Sequence, residues 1–140
     1  MVKIPPQNLE TELNLLGALL LDHEAIARVA DILTADDFYK QAHADIFAAM
    51  LELYEQREPI DIVSVINRLK EKKQLERVGG HSFVTSLTDS IATSAHVEHY
   101  AKIIQKKATL RRLQQAASEI AEYSFVEDEN LEDLLDLVRA

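Results

Sequence analysis

Cysteine is absent from the 140 residues. That excludes a disulfide framework and a thiolate metal site, and it fits the cytosol, the compartment expected. Tryptophan is absent too, and there are only three glycines and three prolines. So few breakers leave little room for the turn-rich layout of an all-β chain and favour helices. No apolar run approaches the ~18 residues of a membrane span, and Met1 to Glu10 has no signal-peptide core. Positive charge is scarce, with 15 Lys and Arg against 24 Asp and Glu, a formal net charge of -9. An acidic domain repels a polyanion, so general nucleic-acid binding by the whole surface is excluded, although a local basic stripe is not. There is no Gly-x-x-x-x-Gly-Lys-Ser/Thr loop, so this segment has no P-loop for ATP.

What is present is helix. Hydrophobic residues make up 47% of the chain, enough for one sizeable core. Asn8 caps a helix with Glu10 and Glu12 in its first turn, and Leu9, Leu13, Leu16 and Leu20 form its stripe, thickened by Leu15 and Leu19. Gly17 in mid-helix invites a close neighbour. Asp22 caps a second helix with Ile26, Val29, Ala30 and Leu33 inward. Thr34 and Asp37 have the spacing of a capping box, ahead of Phe38 and Tyr39. A strong helix follows over 41–56, with Ile46, Phe47, Met50, Leu51 and Tyr54 inward. Asp61 then caps a helix burying Ile62, Val65, Ile66 and Leu69. Gly79-Gly80 demands positive φ, and a short helix with Phe83, Val84 and Leu87 comes next.

The chain is organised around 94–124. Ser94 is the expected cap of about thirty residues free of Gly and Pro, a helix of roughly 45 Å at about 1.5 Å per residue. Val97, Tyr100, Ile103 and Ile104 are spaced to sit on the body. After Lys107 the seam changes to Leu110, Leu113, Ala117 and Ile120, at heptad-like steps of three and four. An acidic elbow spans 125–129. Asn130 and Asp133 then cap a second arm helix carrying Leu131, Leu134, Leu135 and Val138, whose stripe is unfinished at Ala140. The expectation is an all-α chain: a compact head of about six helices over 1–106, then a projecting helical hairpin over 107–140 with its second helix cut short.

Two isolated helices bury too little to be stable alone, so the seam needs the body or another chain. A basic band of Lys102, Lys106, Lys107, Arg111 and Arg112 sits at the junction, either as a solvated face or as an electrostatic contact. In a second copy lying antiparallel, the acidic elbow would approach this band. His96 and His99 are three apart with Glu98 between them, but Zn²⁺ needs further ligands and no His-Glu-x-x-His motif is present.

Several segments together carry a resemblance. Ile4-Pro5-Pro6-Gln7-Asn8-Leu9-Glu10 and Leu16-Gly17-Ala18-Leu19-Leu20-Leu21-Asp22 open it. Asp36-Asp37-Phe38-Tyr39, His43, Ile46-Phe47, Pro59-Ile60-Asp61 and Val78-Gly79-Gly80 continue it. Tyr100-Ala101-Lys102-Ile103 leading to Leu110-Arg111-Arg112-Leu113 close it. This pattern resembles the N-terminal domain of bacterial replicative DNA helicases of the DnaB family, over nearly the whole chain. Leu13 departs from the polar residue often found there, and His81-Ser82-Phe83 is more polar than usual after the glycines.

The resemblance implies a non-catalytic domain of an ATP-dependent 5'-3' DNA helicase. It implies hairpins that pair between subunits, a hexamer built as a trimer of dimers, and docking of the primase C-terminal domain. ATP, Mg²⁺ and the main DNA grip would belong to a C-terminal portion not present here, leaving no catalytic, cofactor or metal residue in this segment. The implied oligomer contacts are Leu110, Leu113, Ala117, Ile120, Leu131, Leu134, Leu135 and Val138. Two other readings compete. One is a stand-alone helical adaptor binding nucleic acid or an acidic partner through Lys102 to Arg112. The other is a metal-dependent enzyme using His96 and His99.

Overall fold

The computed structural model describes residues 4–89, 91, 93–125 and 130–139. Among these the fold is all-helical: α1 (Leu9–Leu21), α2 (Ile26–Val29), a 3-10 turn (Ala35–Asp37), α3 (Gln41–Glu55), α4 (Ile62–Glu71), α5 (Leu75–Val78), α6 (Gly80–Ser86), α7 (Val97–Tyr123) and α8 (Leu131–Arg139). The caps explain several starts. Asn8 accepts from the Thr11 N–H at 3.0 Å, and Asp61 accepts from the Ser64 N–H at 2.7 Å. At the 3-10 turn the Asp37 carboxylate accepts from the Thr34 N–H at 2.9 Å. Gly79 and Gly80 have φ of 123° and 81°, the left-handed region that side chains avoid, so α5 stops and α6 starts without a connecting loop.

Helix α3 is the central element, packed on α1, α4, α5 and the 3-10 turn. Ile46, Phe47, Ala49, Met50 and Leu53 are buried, and the Phe47 ring meets Phe38 with centroids 4.9 Å apart. Tyr54, expected inward, is exposed, because Leu53 takes the inner position one residue earlier and leaves the phenol at the surface. Leu51 is half-buried. A similar rotation corrects α1. Its buried face is Thr11, Glu12, Leu15, Leu16, Ala18 and Leu19, while Leu9, Leu13 and Leu20 are only partly covered.

Gly17 answers to backbone rather than to a side chain. A methyl group there would lie 2.1 Å from the Leu87 carbonyl oxygen and 2.7 Å from the Ile91 side chain. Gly17→Ala is therefore expected to force α1 and the chain after α6 apart, costing about 1–3 kcal/mol. Urea unfolding would show it as a lower midpoint at unchanged slope, and a stability equal to the parent would refute the contact.

The turn after α1 departs from the expected caps. Asp22 does not cap α2; it ends α1, and its carboxylate accepts from the Glu24 N–H at 3.1 Å and from the Ser94 hydroxyl at 2.8 Å. The Ser94 hydroxyl, then the Glu24 N–H, hold the Asp22 carboxyl below its ordinary pKa. Ser94 in turn is unavailable to cap the long helix, which begins at Val97 after the non-helical His96. That helix is 27 residues long, about 40 Å, and packs along α1 through Val97, Ala101, Ile104 and Ala108. The alanines let the two backbones approach. Tyr100 and Ile103, expected on the body, are half-buried at its margin.

Candidate interaction surface

The long helix joins the head to the arm, and its two faces have different partners. Residues around a helix are about 100° apart. Val97, Ala101, Ile104 and Ala108 share the face on the head. Leu110, Leu113, Ala117 and Ile120 then fall on nearly the opposite side. All four are exposed; Leu113 keeps 65% and Ile120 45% of its surface in solvent. The arm seam therefore does not continue the core; it faces away from the head.

The second arm helix also has an exposed apolar side. Asn130 accepts from the Glu132 N–H at 2.8 Å and opens α8. Leu131, Leu134, Leu135 and Val138 fall on one side of it; Leu131 is 68% exposed, and only Leu134 is half-buried. Two further residues, Leu137 and Phe125, were not singled out by the periodicity. Phe125, just after α7, is 82% exposed. An aromatic residue beside an acidic segment was its only sequence-level sign. Of the elbow, 126–129 lies outside the described residues, as does Ala140.

The basic band divides in two. Arg111 donates to the Pro6 carbonyl at 2.7 Å and to the Asp37 carbonyl at 2.8 Å, with its guanidinium 5.3 Å from the Tyr39 ring centroid. Arg112 meets the buried Asp37 carboxylate at 2.6 Å. Both arginines thus tie the arm root to the head, and head contacts run past Lys106. Lys102 and Lys106 are exposed and form no ion pair with the described residues, while Lys107 is half-buried.

The connection those arginines grip is also held by Glu12, expected only as an acid in the first turn of α1. Glu12 is 2% exposed. Its carboxylate accepts from the Tyr39 N–H at 2.7 Å, from the Lys40 N–H at 3.4 Å and pairs with His43 Nδ1 at 2.7 Å. It thereby satisfies backbone donors at the start of α3, where the helix dipole favours an anion. The buried His43 ring lies parallel to Phe83, centroids 6.4 Å apart. Near it Asp45 accepts from Gln41 at 2.9 Å and from Arg77 at 2.8 Å.

The described residues contain no group of three or more His, Cys, Asp or Glu able to hold a metal ion. His96 and His99 flank Tyr100, each ring 6.2 Å from it. Nor is any described helix long and apolar enough to cross a membrane. A groove of about 510 Å³ lies between the α1–α2 turn and the end of α3, against His23, Ala27, Tyr54 and Ile60.

Comparison with known proteins agrees with this architecture. Residues 4–106 match the model of the DnaB-like helicase N-terminal domain. The replicative DNA helicase DnaB of Geobacillus stearothermophilus is 42% identical over 134 residues, which is 96% of this chain and 30% of that protein. The crystal structure of the N-terminal domain of DnaB helicase from Mycobacterium tuberculosis superposes with a TM-score of 0.92 at 36% identity, covering 97% of this chain and 96% of that one. The N-terminal domain of DnaB helicase from Helicobacter pylori, described with its interactions with primase, shares the fold, with a TM-score of 0.69 at 23% identity over 81% of this chain and 89% of that one. With its head matched by the family model and its head and arm together matched in a solved domain, this chain belongs to the DnaB-like helicase N-terminal domain family.

Proposed function

We propose that this chain organises the subunit ring of a replicative DNA helicase and docks primase. It performs no chemistry itself. The ATP, the Mg²⁺ and the main DNA grip belong to the remainder of a longer protein, since the chain spans about 30% of the G. stearothermophilus helicase. The assembly would be a trimer of dimers, each dimer joined through the arms.

One observation carries this reading: the apolar seam of α7 from Leu110 onward is exposed on the side opposite its residues buried in the head, and the apolar side of α8 is largely exposed as well. An apolar face of this kind, rimmed by charge, marks a protein contact. Family membership supports a second copy as what covers it. Primase docking is supported by that membership and by the description of the H. pylori domain. The net charge of -9 weighs against a nucleic-acid adaptor, as does the capture of Arg111 and Arg112 by the head. Sedimentation over a range of concentrations should show self-association, and an isolated primase C-terminal domain should bind this chain while duplex DNA does not. A monomer at all concentrations that bound DNA and ignored primase would replace this reading with the adaptor.

A further inference from the structure

The chain ahead of α1 is stiff and short of donors. Pro5 and Pro6 each hold φ near about −65° and have no N–H, and both stand outside the helix that Asn8 caps. What this segment presents is a carbonyl. The Pro6 oxygen accepts from Arg111 at 2.7 Å, across 105 residues of sequence. Pro5 lies with Tyr39, Arg111, Gln114 and Gln115 around a groove of about 350 Å³. The lead-in therefore crosses α7 just beyond Ala108, its last residue buried in the head. Arg111 is three residues further on, about 4.5 Å along the axis.

The Arg111 fork joins three parts of the chain, and they are anchored unequally. The connection before α3, reached through the Asp37 carbonyl at 2.8 Å, is fixed to the core: Phe38 is buried and the Tyr39 N–H is bonded to Glu12. The lead-in is not. Ile4 is 73% exposed, Pro5 is exposed and Pro6 half-buried, and among the described residues Arg111 supplies the one side-chain hydrogen bond to 4–7. The geometry points to a strap: residues 4–7 close over the root of α7 and fix the direction in which the arm leaves the head, with Arg111 as the latch. Opening the strap uncovers no core side chain. It leaves the arm root tied through Arg112 to Asp37 alone, free to tilt about that tie. Two prolines suit such a device, because a segment already stiff loses little freedom on closing, and the latch bond is charge-assisted. The strap acts within one chain, whether or not the arm pairs with a second copy.

The test is the spread of head-to-arm distances. The chain has no cysteine, so spin labels go only where cysteines are introduced. Glu55→Cys, exposed at the end of α3, and Ser118→Cys, exposed on the arm, give one distance by pulsed electron paramagnetic resonance, with labelled chain diluted in excess unlabelled chain so that only distances within a molecule count. Pro5→Gly with Pro6→Gly keeps the carbonyl at position 6 but frees the lead-in, and should broaden the distance distribution about twofold. Arg111→Gln removes the latch and should broaden it at least as much. Helix content by circular dichroism should match the parent, since neither variant removes a fully buried side chain. A parent-like width in the double-glycine variant would overturn the strap, even if Arg111→Gln alone broadened it, because the restraint would then lie in the Asp37 connection. Broadening accompanied by lost helix content in the double-glycine variant would also overturn it, by showing that the lead-in holds the head together rather than aiming the arm.

Discussion

Leu113→Asp should raise the dissociation constant for self-association at least a hundredfold while the head stays folded. Leu113 is 65% exposed, so the monomer loses almost no buried surface when it is replaced. In a dimer the same position lies at the centre of an apolar seam, where a desolvated, unpaired carboxylate costs several kcal/mol. A hundredfold is about 2.7 kcal/mol, within that cost. The expected result is an unchanged unfolding midpoint at low concentration together with loss of the dimer by sedimentation. An equal mass distribution for variant and parent would show that the seam is not the contact. Head destabilisation would instead mean that the arm packs on its own body.

Glu12→Ala should be the most damaging single change within the head, at about 3–5 kcal/mol. Its removal strands the partly buried Tyr39 and Lys40 N–H groups together with the buried His43 Nδ1. Each lost partner leaves a desolvated donor or ring nitrogen with nothing to bond. The cost can be assigned by a double-mutant cycle with His43→Leu. The pair shares a bond of 2.7 Å, so the double variant should lose less than the sum of the single ones. Additive losses would mean that Glu12 acts only as the cap of α3. In either case thermal unfolding should fall by roughly 10–20 °C for a domain of this size.

These two residues also mark what was legible in the sequence. Leu113 could be read as part of a seam because such a seam is a local pattern: three- and four-residue steps place side chains on one side of one helix, and no tertiary knowledge is needed. The caps at Asn8 and Asp61 and the helix over Gln41–Glu55 were legible for the same reason. Glu12 was read as an acid favoured by the dipole of its own helix, whereas it serves the start of α3, with His43 31 positions away in sequence. Its one clue was position, since it falls on the same side of α1 as Leu15, Leu16 and Leu19. Arg111 hid its role more completely. Its carbonyl partner Pro6 is 105 residues distant, and a cation among lysines looks like solvated surface until the chain is folded.

Side-chain competition explains the misplaced caps. Ser94 and Asp22 each had the right chemistry to start a helix, and each is spent on the other, 72 residues apart. A cap signature states what a side chain can accept or donate locally; it cannot say that a distant partner has already claimed it. The apolar stripes shifted by one or two residues for a related reason. In α1 and α3 most positions are apolar, so periodicity defines a broad arc, and the neighbours decide which part of it is covered.

The unbroken course of α7 has a mechanical consequence. From Ala108, the last residue buried in the head, to Tyr123 the arm extends about 22 Å with no joint in between. Head and arm form a lever with its fulcrum in the hydrophobic core. Each 10° of tilt at that fulcrum sweeps the tip through about 4 Å, enough to move a long side chain off its partner. Small rearrangements where α7 lies on α1 are therefore magnified at the far end of the arm.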